Sequence, residues 1–484
     1  MEDEPDSWIR NSVMQDTMNV RGNGYHQHAS ELYHEIFQPF DNFLEQFYGF
    51  NSKDIYNTIF KLDDLILSKI AIVFGSVKSH DRFTRWGDKE VMELITKKKK
   101  SPFQLYSDDN PDITIPEDGM GIIHYSLKDV EYYPKVFWVI PENKKEELIF
   151  EALSCSYNDN HQFFYPPKFK LFIMNDSIIR EKPIVKEDGK YYHFSIQLAF
   201  RNIFRITEKL IKEASEVFYN NSFKNNSNKD SRDNYIEIKT KSLFEKLLPK
   251  TKFYHSLEYQ FEDDGTLKDT ELDILGINED TIYIIEIKAG ELNDKHRRGA
   301  LKGLKDRMEE TISEGSYQSH RAKKYIENLE TPVFEYIEEG VRKTLSINNP
   351  KNYKIHKITV TFEHFSGLSI NLKYLVESGI LKDEYKWAWI VSLFDLMIFA
   401  DLIDGEQQFN EYLDYRLGMY ERSDITFLDE IEILGFYMKG NFPLPEEGKK
   451  KEILMTGFIE DIDDYYTKSE VGMFTADKPI KVNK

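Results

Sequence analysis

Three charged residues, Asp273, Glu286 and Lys288, lie inside the apolar runs of the stretch TELDILGINEDTIYIIEIKAG (270–290). The polar segment NEDT (278–281) between those runs predicts a tight turn, so the stretch predicts a β-hairpin. If the turn is centred on its two middle residues, Asp273 lies directly opposite Glu286. Facing Cβ atoms in an antiparallel pair are roughly 4.5–5.5 Å apart, which would bring the two carboxylates together.

Two neighbouring carboxylates repel each other unless a positive charge compensates them. Carboxylate oxygens suit Mg²⁺, and Mn²⁺ accepts the same ligands. Lys288 follows Glu286 by two residues and so lies on the same face of the strand. We expect Leu272, Ile282 and Ile284 to point to the opposite face. A metal with an adjacent lysine predicts a site that hydrolyses phosphodiesters.

A plainer interpretation is an amphipathic hairpin whose charged face meets solvent. Glu286 and Lys288 would then form an ordinary surface ion pair, which contributes little to stability. The run IYIIEI (282–287) favours the first interpretation. A strand this apolar is expected to be covered on both faces, where an uncompensated charge is costly.

An aspartate followed on the next strand by Glu-x-Lys resembles the PD-(D/E)XK nuclease superfamily. The resemblance covers about residues 235–330 and departs from the family pattern at Leu272, where a proline often stands. It implies a restriction-endonuclease-like core of a helix, several mixed strands and a further helix. It also implies hydrolysis of nucleic-acid phosphodiesters with Mg²⁺, and DNA as a substrate in preference to RNA.

The resemblance further implies a glutamate in the helix that precedes the core strands. Glu245 in SLFEKLLPK fits best as a third metal ligand beside Asp273 and Glu286, and Glu258 is a rival. Gln318 in SYQSHRAKKYI is similar to a glutamine that some members carry after the lysine.

Basic residues after the hairpin are candidates for binding the phosphates of a substrate. Arg297 and Arg298 precede the next predicted helix, and Arg321 and Lys324 lie near Gln318. The alternative for all four is a solvated helix surface.

The amino-acid composition limits the kinds of protein that this chain can be. The chain of 484 residues carries 64 Lys and Arg against 84 Asp and Glu, a net charge of −20, which argues against a general polyanion binder. The single cysteine, Cys155, excludes an intrachain disulfide and fits a cytoplasmic location. The longest apolar stretch, 387–403, is interrupted by Asp395 and Asp401, so we expect no membrane association.

The pattern of predicted elements divides the chain into four parts and indicates an α+β or α/β fold. They are an α+β domain (1–218), a polar linker or mobile loop (219–234), the mixed-sheet nuclease-like core (235–370) and an acidic, mostly helical region (371–484).

The predicted activity is that of a Mg²⁺-dependent nuclease, in a role such as an effector of bacterial anti-phage defence. The parts outside the core would then serve as sensor, inhibitor or assembly surface, for a homo-oligomer or a regulatory partner protein. The alternative is a non-catalytic, nuclease-like module that binds nucleic acid or a protein partner.

Overall fold

The computed structural model describes residues 5–9, 11–12, 24–74, 137–161, 177–225, 227–263, 265–290, 292, 296, 300–365, 367–420, 422, 424–440, 453–471 and 477–482. The chain forms two compact units, one of residues 30–223 and one of residues 1–29 and 224–484. We call the second the main unit. Its extent differs from the predicted division, since 235–370 and 371–484 belong to one compact body.

The 30–223 unit combines helices with a small sheet. Its strands are β1 (Trp138–Val139), β2 (Ser154–Cys155), β3 (Ile184–Glu187) and β4 (Lys190–His193), in the order β1-β4-β3-β2, with only β2 and β3 parallel. The helices are α1 (His26–Phe37), which spans the unit boundary, α2 (Asp41–Tyr48), α3 (Ser52–Phe74), α4 (Lys144–Ala152) and α5 (Ile203–Ala214), with short turns at Leu198–Arg201 and Glu216–Phe218.

The predicted linker at 219–234 contains ordered structure at both ends. Tyr219–Phe223 forms a π-helical turn in which both aromatic residues are buried, and the Phe223 ring stacks on Phe37. A long helix begins at Arg232 after Ser231, whose hydroxyl caps it by accepting from the Asn234 amide. The polar composition of the segment concealed both features.

The main unit is built on a seven-stranded mixed sheet. Its strands are β5 (Lys252–Asp263), β6 (Thr266–Ile277), β7 (Thr281–Lys288), β8 (Val333–Glu338), β9 (Val341–Ser346), β10 (Lys354–Thr361) and β11 (Trp389–Ser392), in the order β11-β10-β7-β6-β5-β8-β9. β10 runs parallel to both β7 and β11, and the remaining neighbours are antiparallel. A separate parallel pair joins β12 (Ile425–Phe427) to β13 (Ile453–Met455).

Seven of the longer helices in the described part of the chain lie in the main unit. They are α6 (Arg232–Leu247), α7 (Leu301–Met308), α8 (Glu314–Asn328), α9 (Leu393–Leu402), α10 (Gly405–Tyr420), α11 (Glu430–Met438) and α12 (Glu460–Val471), with short helices at Gly367–Ile370 and Leu372–Glu377. Together with the sheets they give a mixed α+β architecture.

Helices cover both faces of the central strand β7. Ile282 and Ile284 pack in one apolar cluster with Ala322 and Ile326 of α8. The residue between them, Tyr283, contacts α10, where its hydroxyl donates to Asn410 Oδ1 at 2.7 Å. Because side chains alternate along a strand, this arrangement confirms the prediction of a strand covered on both faces.

The helical segment after the hairpin continues through Gly315 without a break. α7 is joined to α8 by a π-helical turn at Glu309–Ser313. A Cβ at Gly315 would lie 2.6 Å from the Thr359 side chain on β10. Glycine is therefore needed here for the close approach of helix to strand. Over the described ranges, no helix is both long and apolar enough to cross a membrane.

Candidate active site

The hairpin has the predicted register. Ile274 pairs with Ile285, and the pairing continues without a shift to Ile277 and Ile282 beside the turn. The ladder stops at Ile274, one residue short of Asp273. Beyond this point the Asp273 side chain replaces the backbone as the acceptor, and its Oδ2 accepts a hydrogen bond from the Ile287 amide at 2.6 Å.

The other neighbour of Asp273 is also irregular. β5 pairs His255 with Ile274 and Leu257 with Leu272, but the pairing omits Ser256 and Asp273. Ser256 has a φ of 51°, in the left-handed region that L-residues rarely adopt. The sheet is thus locally interrupted on both sides of Asp273, which frees its side chain to contact β7.

The predicted orientation of the apolar residues is wrong. Ile282 and Ile284 precede Glu286 at two-residue steps, so they share its face rather than the opposite one. Leu272 belongs to the same apolar cluster, on the side of α8. Glu286 and Lys288 therefore continue the face of β7 that packs against α8.

Burial dominates the electrostatics of the two acids. Glu286 is 1% exposed, and within the described part of the chain its Oε1 has no hydrogen-bond partner. Burial and the neighbouring Asp273 raise the pKa of Glu286 well above its usual value. Burial also raises the pKa of Asp273 to about 6, against the opposing effects of the Ile287 amide and Lys288. An added cation would favour the ionised forms of both carboxyl groups and so lower their pKa values.

Helix α8 supplies two of the other predicted residues. Lys288 Nζ donates to Gln318 Oε1, so the predicted lysine and glutamine are in contact. One turn further along α8, Arg321 donates from Nε to the Tyr259 hydroxyl at 3.2 Å. The Arg321 charge also acts on Glu286 and lowers its pKa. Asp273, Glu286, Lys288, Gln318 and Arg321 thus form one interacting group.

The remaining predicted residues are not brought to this group. Glu245 is half-exposed and accepts from Lys241 Nζ at 2.7 Å, one turn earlier on α6. Lys324 lines a different cavity, described below. Arg297 and Arg298 lie outside the described residues.

The α6 residue near the site is Glu237, which the sequence prediction missed. Its charge raises the pKa of Asp273. Glu237 also lines a cavity of about 240 Å³ with Asp233, Lys288 and Arg307. Glu245 lies eight residues, or about 12 Å of helix, further along. The available signal was the cap at Ser231, which starts the helix early enough to include Glu237.

A second group of potential metal ligands lies elsewhere in the main unit. One ligand atom each from His364, Asp395 and Asp429 falls within 4.8 Å of the others. His364 Nδ1 lies 3.3 Å from Asp395 Oδ2, and Asp429 Oδ1 accepts from the Ile431 amide at the start of α11. Its imidazole makes this donor set chemically distinct from Asp273 and Glu286, because nitrogen ligands suit transition metals better than Mg²⁺.

Comparisons with known proteins give little further information. No family model matches the chain, and no curated protein matches it. Among solved structures, the chain is similar to the crystal structure of protein VC1899 from Vibrio cholerae, at 10% sequence identity and a TM-score of 0.17. The match covers 76% of this chain and 58% of that protein, so the chain spans little more than half of its length. A TM-score this low supports no conclusion about fold or function.

Proposed function

We propose that the chain is a metal-dependent nuclease that hydrolyses phosphodiesters of nucleic acid, DNA in preference to RNA. The observation that carries the proposal is the pair of neighbouring carboxylates beside Lys288, in which Glu286 is buried and Asp273 is partly buried. Two acids in this position are costly to keep ionised without a cation. Strongly perturbed acids grouped around a lysine are typical of functional sites.

The order of elements supports the same proposal. Helix α6 precedes β5, β6 and β7, and α7 and α8 follow before β10 returns parallel to β7. This is the helix, mixed-strand and helix arrangement that the PD-(D/E)XK resemblance implies. Its three signature residues lie on the two adjacent strands β6 and β7.

The donor set fits Mg²⁺, or Mn²⁺ in its place. Asp273 and Glu286 would hold the ion through carboxylate oxygens, and Glu237 is the nearby acid on α6 that would complete the set. Glu286 Oε1, which has no hydrogen-bond partner among the described residues, is the atom that most needs a cation. When bound, the ion supplies the positive charge that polarises a phosphodiester and lowers the pKa of a coordinated water.

The other residues of the group would position substrate and proton donors. The Lys288 ammonium, held by Gln318, would stabilise the negative charge that develops on the phosphate oxygens. Arg321, fixed by Tyr259, would contact a neighbouring phosphate of the substrate. The Asp273 carboxylate is fixed by the Ile287 amide, which orients its second oxygen.

A cleavage assay separates this function from the non-catalytic alternative. The purified full chain is incubated with linear duplex, circular duplex and single-stranded DNA, and with RNA, in Mg²⁺, Mn²⁺ or EDTA. We expect cleavage in the metal buffers only, and a loss of roughly 10²–10⁴-fold in Lys288→Ala.

Lys343→Ala is the matched control, since Lys343 is an exposed lysine on β9 paired with Glu338. It should cleave as the wild type does. Binding of nucleic acid without cleavage in any buffer would instead support the non-catalytic module, and equal cleavage by Lys288→Ala would refute the assigned site.

A further inference from the structure

A second cavity, of about 300 Å³, lies where α8, β10 and α10 approach one another in the main unit. Its existence follows from the sheet. β11 begins at Trp389, which pairs with Ile358, so no strand of the described residues lies beside the first residues of β10 on that edge. The gap is lined by His320 and Lys324 of α8, by His356 and Lys357 of β10, and by Trp387. We call it the basic cavity.

Lys357 supplies a buried amine to the basic cavity. The residue is 8% exposed, and its Nζ donates to the backbone carbonyls of Tyr385 at 3.1 Å and Lys386 at 3.2 Å. An ammonium has three donors, so one remains beyond these two. No carboxylate of the described residues forms an ion pair with Lys357. Burial, aided by Lys323 and opposed by Glu327, lowers the pKa of Lys357 to about 7.

Two imidazoles add further unused hydrogen-bonding capacity. His320 Nε2 and His356 Nε2 are both buried and have no hydrogen-bond partner within the described residues. His356 is only 4% exposed. Buried polar atoms in native proteins nearly always have a partner, so a bound group is the simplest explanation for these two. A neutral imidazole donates from whichever nitrogen carries the proton.

The charges that line the cavity are unequally compensated. Lys323 is paired with Glu327, Lys386 with Asp383 and Arg416 with Glu430. Lys324 and Lys357 form no such ion pair among the described residues. Glu384 also lines the cavity and contributes a negative charge among these positive ones. The two uncompensated amines and the imidazoles together make a set of donors that suits an anion with several acceptor oxygens.

Trp387 gives the cavity an apolar wall. It has a φ of 70°, in the left-handed region that a bulky L-residue rarely adopts. The ring is held by contact with Tyr420 at 5.5 Å between centroids. A rigid aromatic surface beside anion donors would accommodate the organic part of a ligand.

We propose that the basic cavity binds a small molecule through a phosphate group, with Lys357, Lys324 and His320 as the donors and Trp387 as the apolar wall. The volume is at the lower end of the range for small-molecule sites, which is roughly 300–1,000 Å³. This binding is separate from the carboxylate site and does not depend on cleavage activity.

Calorimetric titration of the full chain tests the proposal with three probes: inorganic phosphate, AMP and adenosine. We expect phosphate and AMP to bind and adenosine not to bind. Tighter binding of AMP than of phosphate would identify a nucleotide-like ligand that uses Trp387, and equal binding would identify free phosphate. Either outcome supports the phosphate site.

Lys357→Met should weaken the binding of phosphate and of AMP by at least about tenfold, which corresponds to the loss of one hydrogen bond to a charged group. Lys324 lies at the exposed rim of the basic cavity, so Lys324→Ala should weaken the binding of both anions by a smaller factor. Lys343→Met is the matched control and should bind as the wild type does. If Lys357→Met does not fold, Lys324→Ala and His320→Ala decide the question.

Three results would overturn the proposal. The first is no binding of phosphate or AMP at about 10 mM, where even a weak site would be populated. The second is unchanged binding in Lys357→Met, or in both substitute variants. The third is a single-stranded oligonucleotide that binds in competition with phosphate and loses affinity in Lys324→Ala, because the surface would then belong to the path of nucleic acid.

Discussion

Two buried glutamates of the main unit show how differently a fold can treat the same side chain. Glu430, on α11, is 2% exposed, and Glu286, on β7, is 1% exposed. Glu430 accepts from Arg416 Nε at 3.0 Å, from Trp389 Nε1 at 2.7 Å and from the Tyr412 hydroxyl. Its charge and its hydrogen bonds are satisfied by the chain itself.

Glu286 has no comparable set of partners. Its Oε1 lacks a hydrogen bond in the described part of the structure, and its neighbour Asp273 is a second acid. The nearby guanidinium of Arg321 bonds Tyr259. A buried carboxylate with matched partners is costly to disturb. One whose nearby cations, Lys288 and Arg321, lower its pKa but form no ion pair with it among the described residues is suited to bind an added positive charge. This contrast is the strongest physical support for a metal at Asp273 and Glu286.

The largest effect on stability is expected at the compensated glutamate. Glu430→Gln removes the charge that balances buried Arg416 and should lower the free energy of unfolding by roughly 3–5 kcal/mol. Cleavage per folded molecule should stay unchanged. Urea denaturation of variant and wild type measures the difference. A loss below about 1 kcal/mol would mean that solvent or another residue compensates Arg416. Glu430 would then not be a compensated counterpart to Glu286.

Glu286→Gln should produce the opposite pattern. Cleavage should fall by roughly 10²–10³-fold, the usual loss when one electrostatic contact to the transition state is removed. The free energy of unfolding in EDTA should stay the same or rise, because a neutral amide replaces a buried acid. Single-turnover cleavage and thermal melting on the same preparation measure both. A strongly destabilised Glu286→Gln would instead indicate a structural glutamate like Glu430.

Asp273→Asn should stabilise the metal-free protein at neutral pH. Burial raises the pKa of Asp273 from 3.8 to about 6. The stability linked to protonated Asp273 is therefore fully present below about pH 4 and is lost as the pH rises through 6. Asparagine stays neutral and can still accept from the Ile287 amide, so the variant should gain about 3 kcal/mol at pH 8 in EDTA.

The measurement is the melting temperature of both proteins from pH 4 to pH 8, in EDTA and in Mg²⁺. Mg²⁺ should raise the melting temperature of the wild type and have little effect on Asp273→Asn. A variant that is less stable than the wild type at pH 8 in EDTA would show that the carboxylate is already compensated.

The central hairpin could be predicted from the sequence because its signals are local. The turn at 278–281 fixes the register, and the apolar run at 282–287 indicates burial on both faces. The orientation of Ile282 and Ile284 was mistaken because apolar and charged residues were assumed to occupy opposite faces. In this strand they share one, since α8 packs over the apolar half and presents polar side chains to the charged half.

Features that depend on distant contacts were not predictable. The polar segment at 219–234 conceals a helix start, since its composition is typical of a linker and only the Ser231 cap marks the boundary. The β-branched residues that follow in IEIKT (236–240) favour a strand in isolation, yet packing of α6 on the sheet makes them helical. The glutamate that the family resemblance implies was assigned to Glu245, further along the same helix than Glu237.

The two α6 glutamates provide the finest test of the site. Glu237→Gln should weaken Mg²⁺ binding about tenfold, the lower end of the range for a residue that supports a metal site, because it removes a negative charge that acts on Asp273. Glu245→Gln is the matched control on the same helix. It removes an equal charge from a half-exposed position paired with Lys241, so Mg²⁺ affinity should be unchanged.

Titration of Mg²⁺ against melting temperature, or of Mn²⁺ by paramagnetic resonance, measures both affinities in the absence of substrate. Equal weakening in the two variants would mean that only the summed charge of α6 matters. If only Glu245→Gln weakened Mg²⁺ binding, Glu245 would be the third metal ligand, as the sequence predicts. Helix α6 would then have to pack on the sheet in a different position. A selective effect of Glu237→Gln would instead add Glu237, which contacts His255 Nε2 at 3.1 Å in this structure, to Asp273 and Glu286 as a third acid of the metal site.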